Sequence, residues 1–257
     1  MSGLYIERRG SGSTPLVMLH GWAMHGGILH PLAEALEAHC DMYLVDLPGH
    51  GHSRDSSIPL DPHACAEAII RETPPANWLG WSLGGLVATT AALDFPGAVQ
   101  RLVPVSSTPK FVRGEDWPHG NDPAMVRKLA ADLETDYKAT VDRFIALEAM
   151  GSQDPRAETR RLMAEAYERG EPDPRVLLEG LRLLEESDLR TQLHGLTMPS
   201  LWIAGRRDRI VHPEAMRSAA EAAGGRFVEL AHAGHAPFIG HAAELAAVLT
   251  QFTGSDA

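Results

Sequence analysis

Two cysteines in 257 residues, Cys40 and Cys65, are too few for a disulfide framework, so the chain does not read as a small stapled secreted protein. No apolar run approaches the roughly 20 residues that a membrane-crossing helix needs, and membrane insertion is not expected. Positive charge is scarce as well. The 23 Lys and Arg against 34 Asp and Glu leave a formal net charge of -11, whereas a broad nucleic-acid footprint would want the opposite sign. Internal repeats and low-complexity tracts are missing. Met1-Ser2-Gly3-Leu4-Tyr5 carries no charged-then-apolar leader, so the expected location is cytoplasmic. What is there is an ordinary globular composition, 44% hydrophobic and 22% charged, at a length that suits one large α/β domain carrying an insertion.

Short β-like runs recur at residues 4–8, 16–20, 42–46, 77–81, 102–106, 200–205 and 226–230. Several are apolar throughout, as strands buried on both faces should be. Helical patterns at 31–38, 83–93, 213–223 and 242–252 alternate with them, which predicts a mostly parallel sheet covered on both sides, with ligand loops at the carboxyl ends of the strands. The alternation stops between residues 110 and 190. There 125–150, 156–169 and 174–186 all read as helices, separated by breakers at Gly151, Pro155, Gly170, Pro172 and Pro174. The expected organisation is a core of residues 1–109 and 191–257 with a helical cap, 110–190, inserted into it. The tail from Thr253 to Ala257 is expected to fray.

Gly80-Trp81-Ser82-Leu83-Gly84 places a serine between two glycines, after an apolar run and before a helical one. That is the G-x-S-x-G nucleophile elbow, a strand-to-helix turn too sharp for bulky neighbours. A hydroxyl is a weak nucleophile near neutral pH and needs an imidazole to accept its proton and a carboxylate to orient that imidazole. Asp208 directly follows the run 201–205, and His235 follows the run 226–230, so both fall on loops at strand ends. The order Ser82, Asp208, His235 is that of an α/β-hydrolase. Oxyanion donors are expected from the backbone N–H of Leu83, at the start of a helix, and of Trp22 in His20-Gly21-Trp22, which ends an early strand.

Taken together, the His-Gly-Trp element, Asp46-Leu47-Pro48-Gly49-His50-Gly51-His52-Ser53, the elbow, Gly205-Arg206-Arg207-Asp208 and Gly234-His235-Ala236-Pro237-Phe238 resemble the α/β-hydrolase superfamily over nearly the whole chain. Cap segments narrow the likeness. Asp116-Trp117-Pro118 and Arg143-Phe144-Ile145-Ala146-Leu147 with Met150-Gly151 resemble the BioH family, carboxylesterases of biotin synthesis that hydrolyse the methyl ester of pimeloyl-[acyl-carrier protein]. The resemblance implies a free pimeloyl-carrier-protein acid and methanol as products, with no cofactor and no metal. It also implies substrate contact by Trp22, Ser82, Leu83, His235 and the cap segment Phe144, Ile145, Ala146, Leu147 and Glu148. An acidic carrier protein would dock on Arg143, Arg156 and Arg160. One position departs: the family's further arginine is Ala139 here, beside Lys138. The cap holds 13 Lys and Arg against 18 Asp and Glu, a net of -5, so geometry must gather any basic patch. A monomer is expected.

Plainer readings stand beside these. Ser82 could be a tight-turn serine, and Asp208 could pair only with Arg206, Arg207 or Arg209, with Asp188 then the reserve acid. His232, His50 and His52 read as satisfied loop histidines, since no H-E-x-x-H helix, Cys-x-x-Cys or convergent carboxylates accompany them. Phe144 and Leu147 could be core, and the cap arginines a solvated face. A broader short-chain esterase, a thioesterase or a carbon–carbon bond hydrolase would use the same triad on another pocket. A non-catalytic ligand-binding receptor on the same fold is the rival of another class.

Overall fold

The computed structural model describes residues 3–152 and 154–254. Seven strands form one sheet: β1 (Ile6–Arg9), β2 (Thr14–Leu19), β3 (Cys40–Val45), β4 (Ala76–Trp81), β5 (Val99–Val105), β6 (Leu201–Gly205) and β7 (Arg226–Leu230). Their order is β1-β3-β2-β4-β5-β6-β7, with β1 antiparallel to β3 and the other pairs parallel. All seven overlap the predicted runs, with ends shifted by up to three residues. β4 and β6 are buried along their whole length, because helices cover both faces of a parallel sheet.

Chirality then places the helices. The crossover from β2 to β3, through α1 (His30–Leu36), runs one way along the sheet. Those through α2 (Pro62–Glu72), α3 (Leu83–Asp94) and, between β6 and β7, α8 (Pro213–Ala222) run the other. Right-handed crossovers therefore put α1 on one face and α2, α3 and α8 on the other. The direction reverses between β2 and β4, and a ligand crevice belongs outside the carboxyl ends of strands at such a switch point. The sequence reading passed over α2, whose start is marked by Asp61, a side-chain cap to Ala64 N–H at 2.9 Å, followed by Pro62.

Between β5 and β6 the chain forms four helices: α4 (Pro123–Thr135), α5 (Tyr137–Glu148), α6 (Pro155–Ala166) and α7 (Pro174–Glu186). The single helix predicted over 125–150 is two. Asp136, at φ -147 and ψ 84, leaves the helical region and caps Ala139 N–H, ending α4 and opening α5 in one residue. The insertion has no separate interior. Leu133, Val141, Ile145, Leu162, Leu177 and Leu181 are buried in one continuous apolar cluster with the sheet's own residues. Polar anchors join the same two parts. Arg169, past the end of α6, pairs with Asp46 at 3.0 Å and with Glu7, and Asp46 also accepts from Gly26 and His52 N–H. His25 Nδ1 accepts from Gly27 N–H, so its Nε2–H donates to the Glu165 carbonyl.

After β7 come the short α9 (Pro237–Gly240) and α10 (Ala242–Gly254), which packs on α1 and so on its face of the sheet. Thr253 and Gly254, expected to fray, complete α10; Ser255, Asp256 and Ala257 lie outside the described residues, as do Met1 and Ser2. Cys40 and Cys65 are free and buried, and burial pushes their thiols up to about 11 and about 12. Among the described residues no helix is long and apolar enough to cross a membrane.

Candidate active site

Ser82 sits between β4 and α3 at φ 52 and ψ -118, a left-handed conformation that costs a non-glycine residue of order 1–3 kcal/mol. Its surroundings hold it there. Ser82 N–H donates to Val105 O at 3.0 Å, and its carbonyl accepts from Gly85 N–H and from the Ser107 hydroxyl at 2.7 Å. The flanking glycines are required by contact: a Cβ on Gly80 would lie 2.3 Å from Gly84 O, and one on Gly84 would lie 2.6 Å from His20 O. Leu83 opens α3, so its N–H has no carbonyl one turn earlier to bond.

His20-Gly21-Trp22 lies against this elbow. A Cβ on Gly21 would come within 3.0 Å of the Trp81 ring and 3.2 Å of Ser82 Cβ, so only glycine lets the loop approach the nucleophile. His20 Nε2 accepts from Leu47 N–H at 2.9 Å, which leaves the proton on Nδ1 to donate to Gly21 O at 2.7 Å. Burial, reinforced by His50 5.1 Å away between ring centres, holds His20 well below the ordinary histidine range and therefore neutral. It fixes the loop rather than doing chemistry. His50 is likewise buried and pushed down to about 4. The chain turns sharply beyond Trp22, at Ala23 with φ 62.

Asp208 and His235 meet on the loops after β6 and β7. Asp208 Oδ2 accepts from His235 Nδ1–H at 2.9 Å, and both side chains are wholly buried. The other carboxylate oxygen accepts from Ile210 and Val211 N–H at 2.8 and 2.9 Å. Arg206, Arg207 and Arg209 therefore play no part in holding the carboxylate. The reserve acid is committed elsewhere, for Asp188 pairs with Arg190 and Lys110 at the surface, which holds its carboxyl below the usual carboxylate range. With Nδ1 engaged, His235 Nε2 is a buried ring nitrogen with no hydrogen-bond partner among the described residues, Ser82 Oγ included. Trp81 joins the imidazole to the elbow: its indole N–H donates to His235 O at 2.8 Å and its ring lies 5.5 Å from the imidazole.

A cavity of about 190 Å³ opens at Ser82 under the cap. Cavities of about 150 Å³ already admit a benzene-sized guest, so a short acyl chain has room. Its walls are mostly apolar, with Phe111 and Ile210 on loops, Val126 and Leu129 from α4 and Leu181 and Leu184 from α7, and Asn121, Arg143 and Arg209 as polar members. Sequence reasoning missed the six apolar ones; they come from segments far apart in the chain, and only the apolar stripes of α4 and α7 hinted at them. Of the cap segment expected to touch substrate, Phe144 and Leu147 line the cavity. Ile145 and Glu148 are fully buried on another face of α5, and neither they nor Ala146 are among its lining residues. Trp22, Leu83 and His235 are buried and do not line it either.

Glu148 is the unexpected member. Both of its carboxyl oxygens are buried without a partner among the described residues. Burial first, then the charges of Asp208 and Glu158, hold its carboxyl well above the usual range. Glu158, on α6, is pushed up to about 7 by burial.

The cap arginines separate. Arg143 lines the cavity while donating to Thr140 Oγ1 at 2.9 Å and standing 3.5 Å from Asp132. Arg156 and Arg160 are exposed, and neither has an ion-pair partner among the described residues. Lys138, beside Ala139, lies 4.1 Å over the Tyr167 ring. His232 Nδ1 stands 3.4 Å from Arg207 Nη2, and no cluster of three or more His, Cys, Asp or Glu that could hold a metal ion forms among the described residues.

The alpha/beta hydrolase fold family matches residues 14–242. Among curated proteins, the pimeloyl-[acyl-carrier protein] methyl ester esterase of Stenotrophomonas maltophilia (strain R551-3) is 52% identical over 97% of this chain and 96% of its own. The protein of that name from Xanthomonas oryzae pv. oryzae (strain MAFF 311018) is 47% identical over 98% and 99%. Solved structures share the fold: an esterase from Exiguobacterium antarcticum superposes with TM-score 0.88 at 22% identity over 98% of this chain and 96% of its own, and an enol-lactonase from Burkholderia xenovorans LB400 with TM-score 0.85 at 20% over 98% and 96%.

Proposed function

The chain belongs to the family of pimeloyl-[acyl-carrier protein] methyl ester esterases within the alpha/beta hydrolase fold, and from that premise we propose that it is a cytoplasmic serine carboxylesterase of biotin synthesis, removing the methyl ester from pimeloyl-[acyl-carrier protein]. The observation that supports the reading is the buried imidazole of His235, held on Asp208 through Nδ1 with Nε2 unengaged, and tied through its carbonyl to Trp81, the residue before Ser82 in the strained elbow.

In the proposed reaction His235 Nε2 takes the proton of Ser82 Oγ as that oxygen attacks the ester carbonyl, and Asp208 keeps the accepting nitrogen correctly presented. The N–H groups of Trp22 and Leu83 stabilise the tetrahedral oxyanion; such donors are each worth about 10² to 10³ in rate. His235 returns the proton to the departing methoxide, methanol leaves and a pimeloyl-enzyme remains. Water activated by His235 then releases the acid. The largely apolar cavity at Ser82 suits the methylene chain, and the exposed Arg156 and Arg160, four apart on α6 and without an ion-pair partner among the described residues, suit an acidic carrier.

Ser82→Ala is expected to abolish turnover while the fold and ester binding persist. The decisive experiment is growth of a biotin-requiring strain that lacks its own esterase: rescue by the unaltered chain and not by Ser82→Ala is the expected result, and rescue by both, or by neither, would refute the reading. A generalist esterase is separated by comparing the methyl ester on its carrier with the same ester on a small thiol, since indifference to the carrier favours the generalist.

A further inference from the structure

Trp22 enters the proposed reaction through its backbone alone, yet its side chain is held by the cap. The indole is wholly buried, and its Nε1–H donates to the carbonyl of Leu177, on cap helix α7, at 2.8 Å. One turn further along α7, Gly180 lies so close that a Cβ there would stand 2.7 Å from Trp22 Cδ1 and 3.1 Å from Nε1. A glycine in the middle of a helix costs about 0.5–1 kcal/mol relative to alanine, and this contact accounts for its presence. On another side the indole meets Phe144 of α5 edge-to-face at 4.8 Å, and Phe144 lines the acyl cavity.

Resting on the serine-esterase reading above, we propose that α7 is part of the catalytic apparatus: through the Trp22 indole, Leu177 and Gly180 hold the N–H of residue 22 in its oxyanion-binding orientation. The loop needs such a hold. It is anchored on one side by His20 between Gly21 O and Leu47 N–H, but beyond Trp22 it passes at once through the left-handed turn at Ala23. A side chain fixed at its ring also fixes the peptide that carries it. Leu177 and Gly180 touch no reacting atom and are positioning residues that act through Trp22. Because Phe144 presses on the same indole, the wall that receives the acyl chain and the group that receives the oxyanion are mechanically one piece.

The test replaces the indole N–H while keeping the ring's shape, by incorporating 3-(3-benzothienyl)alanine at position 22, with Trp22→Phe and Gly180→Ala as companions. Each is measured on p-nitrophenyl acetate, an ester too short to use the cavity, on p-nitrophenyl octanoate, which is long enough to enter it, and with a trifluoromethyl ketone that mimics the tetrahedral intermediate. Melting temperature establishes which variants fold. The expected result for the folded variants is a loss of kcat of about tenfold, a fraction of what deleting a donor costs, with KM within twofold and ketone affinity reduced by the same factor as kcat. A kcat and ketone affinity unchanged in the benzothienyl variant would overturn the proposal, and so would losses confined to long-chain esters. If the underlying reading fails, the unaltered protein itself turns over the ester without being inhibited by the ketone, and both ideas fall.

Discussion

At the scale of single residues, the pair Glu148 and Glu158 makes the strongest statement about solution behaviour. Each carboxyl ionises in the unfolded chain near its ordinary value of 4.5, but in the folded protein burial keeps the proton, up to about 7 for Glu158 and by a large rise for Glu148. The folded state thus binds more protons than the unfolded state as soon as the pH exceeds about 4.5. Stability from these groups is fully present below that pH and is lost as the pH climbs through the folded values, at about 1.4 kcal/mol per unit of displacement. His50 works the opposite way: its folded value near 4 lies below the ordinary 6.5, so its contribution is lost as the pH falls from 6.5 toward 4. The double variant Glu148→Gln/Glu158→Gln is expected to gain on the wild type progressively between pH 5 and pH 8 in urea unfolding midpoints. A gap that stays constant over that range would show that neither group carries an excess proton. The candidates Ser82, Asp208 and His235 could be picked from the sequence because a glycine-flanked turn and loops after apolar runs leave a local trace. Trp22's indole, bonded 155 positions away, left none.

At the scale of elements, periodicity delivered all seven strands and the bounds of α7, whose stripe of leucines is unambiguous. It failed where a single polar residue decides. Asp136 interrupts a sequence that is otherwise helix-forming on both sides, and it does so through its own carboxylate. Periodicity also says which residues of α5 share a face but not which face meets the cavity, and so Phe144 and Leu147 were separable from Ile145 and Glu148 only in three dimensions. The seat of the cap on the sheet was equally silent, because Arg169 looks like any charged residue at a helix end. Removing one member of a buried ion pair costs about 3–5 kcal/mol. Arg169→Ala, which strands Asp46 with only its two amide donors, is expected to destabilise by about 3 kcal/mol, with Arg169→Met milder, as measured by urea denaturation. A loss below 1 kcal/mol for Arg169→Ala would remove this anchor from the account of how the cap is held.

At the scale of the whole molecule, the proposed function must reconcile a net charge of -11 with the acidic carrier it invokes. The bulk field would repel such a carrier, so the proposed docking calls for cations whose charge is not already cancelled, which among the described residues fits Arg156 and Arg160 better than the partly engaged Arg143. Arg156→Glu/Arg160→Glu is expected to raise KM for the carrier-borne ester about tenfold and to leave the small-thiol ester untouched, with the gap narrowing as salt screens the surface. Equal effects on both esters would place these arginines outside the docking face.

The glycine on which the indole rests has a consequence for anyone rebuilding this enzyme. Roofs of hydrolases are attractive modules to exchange when a longer or bulkier acid is wanted, and here a transplanted roof that arrives with an alanine at position 180 would bring the right walls and still work slowly, its fault lying in the floor it leans upon.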